Sequence, residues 1–303
     1  MNILLSILVA DVVPIFVIAG IGFLLERRLS GSVKFLSSVS FYALSPCLVF
    51  TQLSGSSMSA TDAGRMAAFC LLLTSIMGIT AKIVASRLHL GARTQTSFLL
   101  SVMFSNSGNF ALPVILFAFG REGLSHAAIY FVTSAVMIYT AGIFIAVHDG
   151  NGFERAFSGM LRVPSLYALA IAFIFLLTGT GVPLSISRPI GMLSDAAIPM
   201  MILVLGMQLR RATLPERPSA VITAVALSLL VAPLVGIILS GLLGMTGVAR
   251  NVAIVVSAMP AAVITTVLAM EFDLDSAFVT SVVFLSTLLS PVTLVLLIAY
   301  LTR

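Results

Sequence analysis

A chain of 303 residues that is 59% hydrophobic and 9% charged, with a mean hydropathy of +1.17, carries more apolar surface than a soluble domain of that length could bury. Its net charge of +5 comes from 16 Lys and Arg scattered over short links, so there is no concentrated basic face and nucleic acid is excluded as a partner. Two cysteines, Cys47 and Cys70, sit in or beside apolar runs, and His89, His126 and His148 stand singly near loops; this leaves no material for a disulfide framework, a metal cluster or a catalytic triad, and no cofactor is expected.

The apolar residues fall into runs of roughly 18 to 25, the length at which a helix crosses a hydrocarbon core of about 30 Å. In chain order they predict ten transmembrane helices, over residues 3–25, 33–53, 66–87, 95–119, 125–147, 165–182, 189–209, 219–241, 249–270 and 277–300. The first lacks the basic flank of a cleavable signal and continues to Leu25 before meeting Glu26, Arg27 and Arg28, so it reads as a retained span. Links after odd-numbered spans hold Arg27, Arg28, Lys34, Lys82, Arg87, Arg93, Arg155, Arg162, Arg210, Arg211 and Arg217; the other side holds Arg65, Arg121, Arg188, Arg250 and Arg303. Eleven against five places the odd-span links in the cytoplasm and both termini outside.

Prolines repeat at nearly one offset. Pro14 and Pro164 are 150 apart, Pro46 and Pro199 are 153 apart, and Pro113 and Pro260 are 147 apart. This rhythm predicts a duplicated five-helix unit, residues 1–148 and 164–303, joined by a cytoplasmic link at 149–163. Because five is odd, the second copy inserts upside down, which makes the fold an all-α pair of inverted repeats.

Span four contains SNSGNFALP, Ser105 to Pro113. Such a stretch cannot continue as a plain lipid-facing helix, because freed backbone groups find no water in hydrocarbon. Asn109 and Ser107 are placed to bond that loose backbone, Gly108 permits unusual dihedrals, and Pro113 suits the first turn of a new helix. The reading is helix, break, helix; an ordinary Pro kink is the alternative. The partner stretch in span nine is SAMPAAVITT, Ser257 to Thr266. In an inverted repeat the two broken helices cross at the midplane, so the N-termini of their second halves, at Pro113 and Pro260, meet in the interior. Each brings roughly half a positive charge, and the pair suits an anion.

Two acids lie inside apolar spans, Asp11 in LVADVVP and Asp195 in MLSDAAIP. Each would cost about 2.5 to 3.5 kcal/mol at a helix centre, so each is a candidate proton carrier, with a partly hydrated structural acid as the alternative. Glu271, Asp273 and Asp275 read as a solvated link. Gln208 and Ser45 either face a cleft or act as polar glue between helices.

Three segments together resemble the auxin efflux carrier family of membrane transporters, especially its short bacterial members described as malonate or malate permeases. They are SNSGNFALP, which is similar to that family's N-x-G-N-x-x-x-P stretch; AAIPMMILVLGMQL at Ala196 to Leu209; and MPAAVITTVLAMEFDLD from Met259 with STLLSPVTL at Ser286 to Leu294. The resemblance covers the whole chain and implies a multi-pass protein of the bacterial inner membrane with a fold similar to bile-acid symporters and sodium/proton antiporters. Spans one, two, six and seven would be a scaffold, through which a homodimer would form, and spans three to five and eight to ten a mobile transport domain. Carried over by position, Asn106, Asn109 and Pro113 match the first crossover and Pro260 the second. Where many relatives have Asn four residues after that proline, this chain has Ile264, which leaves Thr265 and Thr266 as the nearest hydroxyl donors.

The function expected from this is secondary active transport of a small mono- or dicarboxylate by alternating access, coupled to protons or driven by the potential, in a non-enzymatic protein whose partners are that anion and the bilayer. The substrate-binding candidates are Asn106, Ser107, Asn109, Pro113, Pro260, Thr265 and Thr266; the coupling candidates are Asp11 and Asp195. A passive anion channel is the alternative. An intramembrane aspartyl protease with Asp11 and Asp195 as its dyad is disfavoured, since the neighbours are Ala10 and Ser194 rather than the Tyr and Gly-x-Gly those enzymes need.

Overall fold

The computed structural model describes residues 3–28, 33–56, 58–147, 152–210 and 217–302; His148, Arg211 and Arg303 lie outside them. Twelve helices follow in order: α1 Leu4–Glu26, α2 Val33–Ser54, α3 Ala60–Arg87, α4 Ala92–Met103, α5 Ala111–Ala146, α6 Gly152–Met160, α7 Pro164–Thr178, α8 Leu184–Arg210, α9 Pro218–Leu242, α10 Gly247–Ser257, α11 Ile264–Glu271 and α12 Ser276–Leu301. Seven of these, α1, α2, α3, α5, α8, α9 and α12, are long and apolar enough to cross a membrane; α7 and α10 are shorter apolar helices. The described residues contain no strand, only one isolated antiparallel bridge, between Ser105 and Ala261.

Local chemistry explains the boundaries. Helix α3 begins at Ala60, earlier than the hydropathy run, because the Ser59 hydroxyl accepts from the Asp62 N–H at 3.0 Å and Asp62 puts a negative charge in the first turn, with Arg65 3.7 Å away. Helix α7 stops at Thr178, where Gly179 takes φ 63° as a left-handed cap. Helix α5, at 36 residues, would be about 54 Å long as one rod, well beyond a hydrocarbon core. Gly120, at φ 63° and ψ −160°, divides it into 111–119 and 121–146.

Four π-helical turns interrupt the rods, at Leu8–Val12, Ser40–Leu44, Ile138–Gly142 and Leu227–Val231. Three directly precede a proline, Pro14, Pro46 or Pro233, whose missing N–H and ring loosen the preceding turn and widen the ladder.

Packing is densest within two groups. Helix α1 packs most extensively on α8, and α2 packs on α7 and α8; α3 packs on α4, α5 and α9, while α10 packs on α5 and α9, and α12 on α4, α9 and α11; between the groups α2 packs on α5, and α1 on α5 and α12. The α1–α8 crossing is backbone to backbone. A Cβ at Gly22 would overlap the Leu203 carbonyl, and one at Gly206 would overlap the Ala19 carbonyl, so glycine at both positions lets the two helices touch. The Arg210 end of that crossing is further fixed by its guanidinium, 5.1 Å from the Phe23 ring centre.

The acidic link after α11 is more than a solvated loop. Asp275 caps α12 by accepting from the Phe278 N–H at 3.0 Å, accepts from the Thr94 hydroxyl at 2.8 Å, and donates its own N–H to Ser97 Oγ at 3.0 Å. Asp273 pairs with Arg93 on the same helix, α4. His126, placed near a loop by sequence, is buried at the start of the 121–146 rod. Cys47 and Cys70 are free thiols, as packing residues would be.

Candidate functional site

Both interrupted helices open in the middle of the protein, and the openings pair with each other. After Met103 the chain becomes extended at Phe104, with φ −114° and ψ 117°. The Asn106 N–H then donates to the Pro260 carbonyl at 2.7 Å, and the Ala262 N–H donates to the Phe104 carbonyl at 2.9 Å. These two rungs form the Ser105–Ala261 bridge. The Ala261 N–H, left over, donates to Ser286 Oγ on α12 at 3.1 Å. Away from water, an unpaired amide or carbonyl costs several kcal/mol, so each break is the other's hydrogen-bond partner. The opposite backbone, rather than the Asn109 and Ser107 side chains expected in that role, satisfies the break.

Beyond the bridge each chain re-enters a helix. The first resumes at Ala111, whose N–H donates to the Asn106 carbonyl at 3.0 Å, and Pro113 sits in its first turn, where a missing N–H costs nothing. The second resumes at Ile264, not at Pro260, which supplies a carbonyl to the bridge instead. No side chain caps either start; backbone carbonyls take first-turn amides at both, Ala111 N–H on Asn106 and the Thr265 and Thr266 N–H groups on Ala262 and Val263 at 3.2 and 3.0 Å.

The candidate side chains separate by what they touch. Asn106 is only 5% exposed, and its amide nitrogen is enclosed without a hydrogen-bond partner. Ser107 is equally buried. Asn109 is half-buried and donates through Nδ2 to Gln208 Oε1 on α8 at 3.4 Å, and Gln208 Nε2 donates to Ser37 Oγ on α2 at 3.3 Å. The Thr265 hydroxyl, expected as a ligand donor, is fully enclosed and donates to the Ala262 carbonyl at 2.5 Å. Thr266 is half-buried, and its hydroxyl makes no hydrogen bond to a described residue.

Behind the crossover the Ser105 and Tyr130 hydroxyls meet at 3.3 Å beside a small space of about 10 Å³ that Ser228 and Ser257 also line. That space fits about one water and is far too small for an organic anion.

The two acids differ. Asp11 lies in the first π-helical turn, roughly 10 Å along α1, half-buried where that turn packs on α5 and α12. Asp195 is exposed on the outer face of α8, among Met192 at 76% exposure and Leu193. Among the described residues neither carboxylate makes a hydrogen bond or ion pair, with the other or with any other group. The sequence named Gln208 only in general terms and gave Ser37 and Ser286 no role; a polar residue at the end of an apolar helix was the signal for the first, and nothing local marks the other two.

The apolar helices and enclosed, mutually paired breaks define a multi-pass integral membrane protein. Two segments, residues 7–159 and 155–298, match the family described as membrane transport protein. The chain belongs to that family, the auxin efflux carrier family its motifs resemble, and is a membrane transporter. A protein of Methanothermobacter thermautotrophicus described as an uncharacterized transporter is 31% identical over 251 residues, covering 82% of each chain. One of Methanocaldococcus jannaschii with the same description is 26% identical over 264 residues, covering 85% of this chain and 86% of that one.

Proposed function

We propose that this transporter is a secondary carrier of a small mono- or dicarboxylate working by alternating access. The observation that carries the reading is the pairing of two broken helices, whose restarts at Ala111 and Ile264 have no side-chain cap, with the amides of Asn106 and Asn109 in the first break. Oriented N–H groups at helix starts favour negative charge, and neutral amides hold a carboxylate without binding it irreversibly. In this reading ten passes cross the bilayer as two inverted repeats: α4 with 111–119 and α10 with α11 are the broken spans four and nine. The group α1, α2, α7 and α8 stays fixed while the crossover group moves against it, a division the packing supports.

Both termini lie outside in this reading, on the eleven-to-five bias of Lys and Arg. A C-terminal reporter active only in the cytoplasm would overturn that orientation.

Counterflow tests the mechanism. Proteoliposomes loaded with an unlabelled substrate carboxylate should transiently accumulate the labelled form at carrier rates and carry no channel-sized current. Conductance at channel rates without counterflow would replace the carrier by a passive anion channel.

A further inference from the structure

Gln208 stands between the two packing groups with both ends of its amide engaged. Its oxygen accepts from Asn109 in the crossover and its nitrogen donates to Ser37 on α2, and α8 is held at this end by the Arg210–Phe23 stack. The distances, 3.4 and 3.3 Å, lie beyond the usual optimum near 2.9 Å, and all three side chains are half-buried, so the relay is weak and exchangeable. What it occupies is an Asn109 N–H, a donor of the kind a carboxylate needs. Three residues earlier in the same break, the enclosed Asn106 amide has no partner among the described residues. A carboxylate offers charged acceptors, which take an N–H more strongly than a neutral amide oxygen does.

We propose that Gln208 is the residue through which the α1, α2, α7 and α8 group enters the carboxylate site: its amide oxygen holds Asn109 in this conformation, and a small carboxylate binds by displacing it. This rests on the carboxylate-carrier reading above. Breaking the relay removes one tie between the two groups, so binding and release of the mobile part become one event.

The test is isothermal titration of detergent-purified parent, Gln208→Ala, Gln208→Glu and Asn109→Ala proteins with acetate, malonate, succinate and benzoate at neutral pH. Removing the competitor in Gln208→Ala should tighten binding of whichever probe the parent takes by about two- to tenfold, the worth of one ordinary hydrogen bond. Gln208→Glu keeps an acceptor for Asn109 but sets a negative charge against the incoming one, and should weaken binding by about tenfold or more. Gel filtration without ligand checks folding; should Gln208→Glu fail it, Gln208→Ala alone decides. Parent-like binding in Gln208→Glu or weaker binding in Gln208→Ala, with binding lost in Asn109→Ala, overturns the displacement role and leaves the carrier reading standing. No binding by the parent to any of the four probes, or parent-like binding by Asn109→Ala, overturns both.

Discussion

Asn109→Ala is expected to lower carboxylate affinity by about ten- to hundredfold while the protein folds normally. A hydrogen bond from a neutral donor to a charged ligand contributes roughly 1.5 to 3 kcal/mol, and its loss converts to that factor. The fold should survive because the break is held by backbone, through the Asn106–Pro260 and Ala262–Phe104 bonds, and not by the Asn109 side chain. That side chain is half-buried and among the described residues its one hydrogen bond is the long one to the half-buried Gln208, so truncation leaves no enclosed polar group unpaired. Asn106→Ala should also weaken binding if its enclosed amide turns to the ligand, although it vacates a tightly packed position. Cys47→Ala, on α2, is the control and should bind as the parent does. Thermal unfolding in detergent, with and without the carboxylate, separates the two cases, since a ligand bound to the folded state raises apparent stability by mass action. A well-folded Asn109→Ala protein that binds and transports like the parent removes Asn109 from the site.

Asp11→Asn is expected to abolish uphill accumulation and leave exchange across the membrane intact. A carboxyl held in hydrocarbon is costly when charged, about 2.5 to 3.5 kcal/mol at a helix centre, and taking up a proton relieves that cost, which is what a coupling group exploits. Asp11 sits where a widened turn of α1 meets α5 and α12, both in the moving group of the proposed cycle, so its surroundings would change between states. Asp195 faces outward on α8, away from that boundary, and Asp195→Asn should leave proton-driven uptake closer to normal. Uptake against a gradient, driven by an imposed pH step in proteoliposomes, is the measurement. Normal uptake in Asp11→Asn takes that acid out of the coupling mechanism.

Much about this protein is local chemistry and was therefore legible in the sequence. Run length against hydrocarbon thickness determines that α1, α2, α3, α8, α9 and α12 are membrane helices, and this needs no knowledge of neighbours. The interruption from Ser105 to Pro113 is equally local, since Gly, Asn and Pro together disfavour a continuous ladder whatever surrounds them. Family membership was carried by the same stretch together with the segments after Ala196, Met259 and Ser286.

Tertiary structure decided where each freed group finds its partner. Ser105 and Ala261 are 156 residues apart, and only the crossing of two helices shows that backbone, not the Asn109 and Ser107 side chains, satisfies the breaks. Packing also buries the Thr265 hydroxyl completely, leaving it the local Ala262 carbonyl as its partner. Asp275 is one acid of a polar run in sequence, and only the fold brings Thr94 and Ser97 of α4 into hydrogen bonds with it. Asp11 and Asp195 are alike as intramembrane acids in sequence, and burial alone separates them. A helix is specified by bonds four residues apart, so its length and interruptions can be read along the chain. A hydrogen bond between breaks, or from Asn109 to Gln208, is specified by which faces pack, and that is a property of the folded whole.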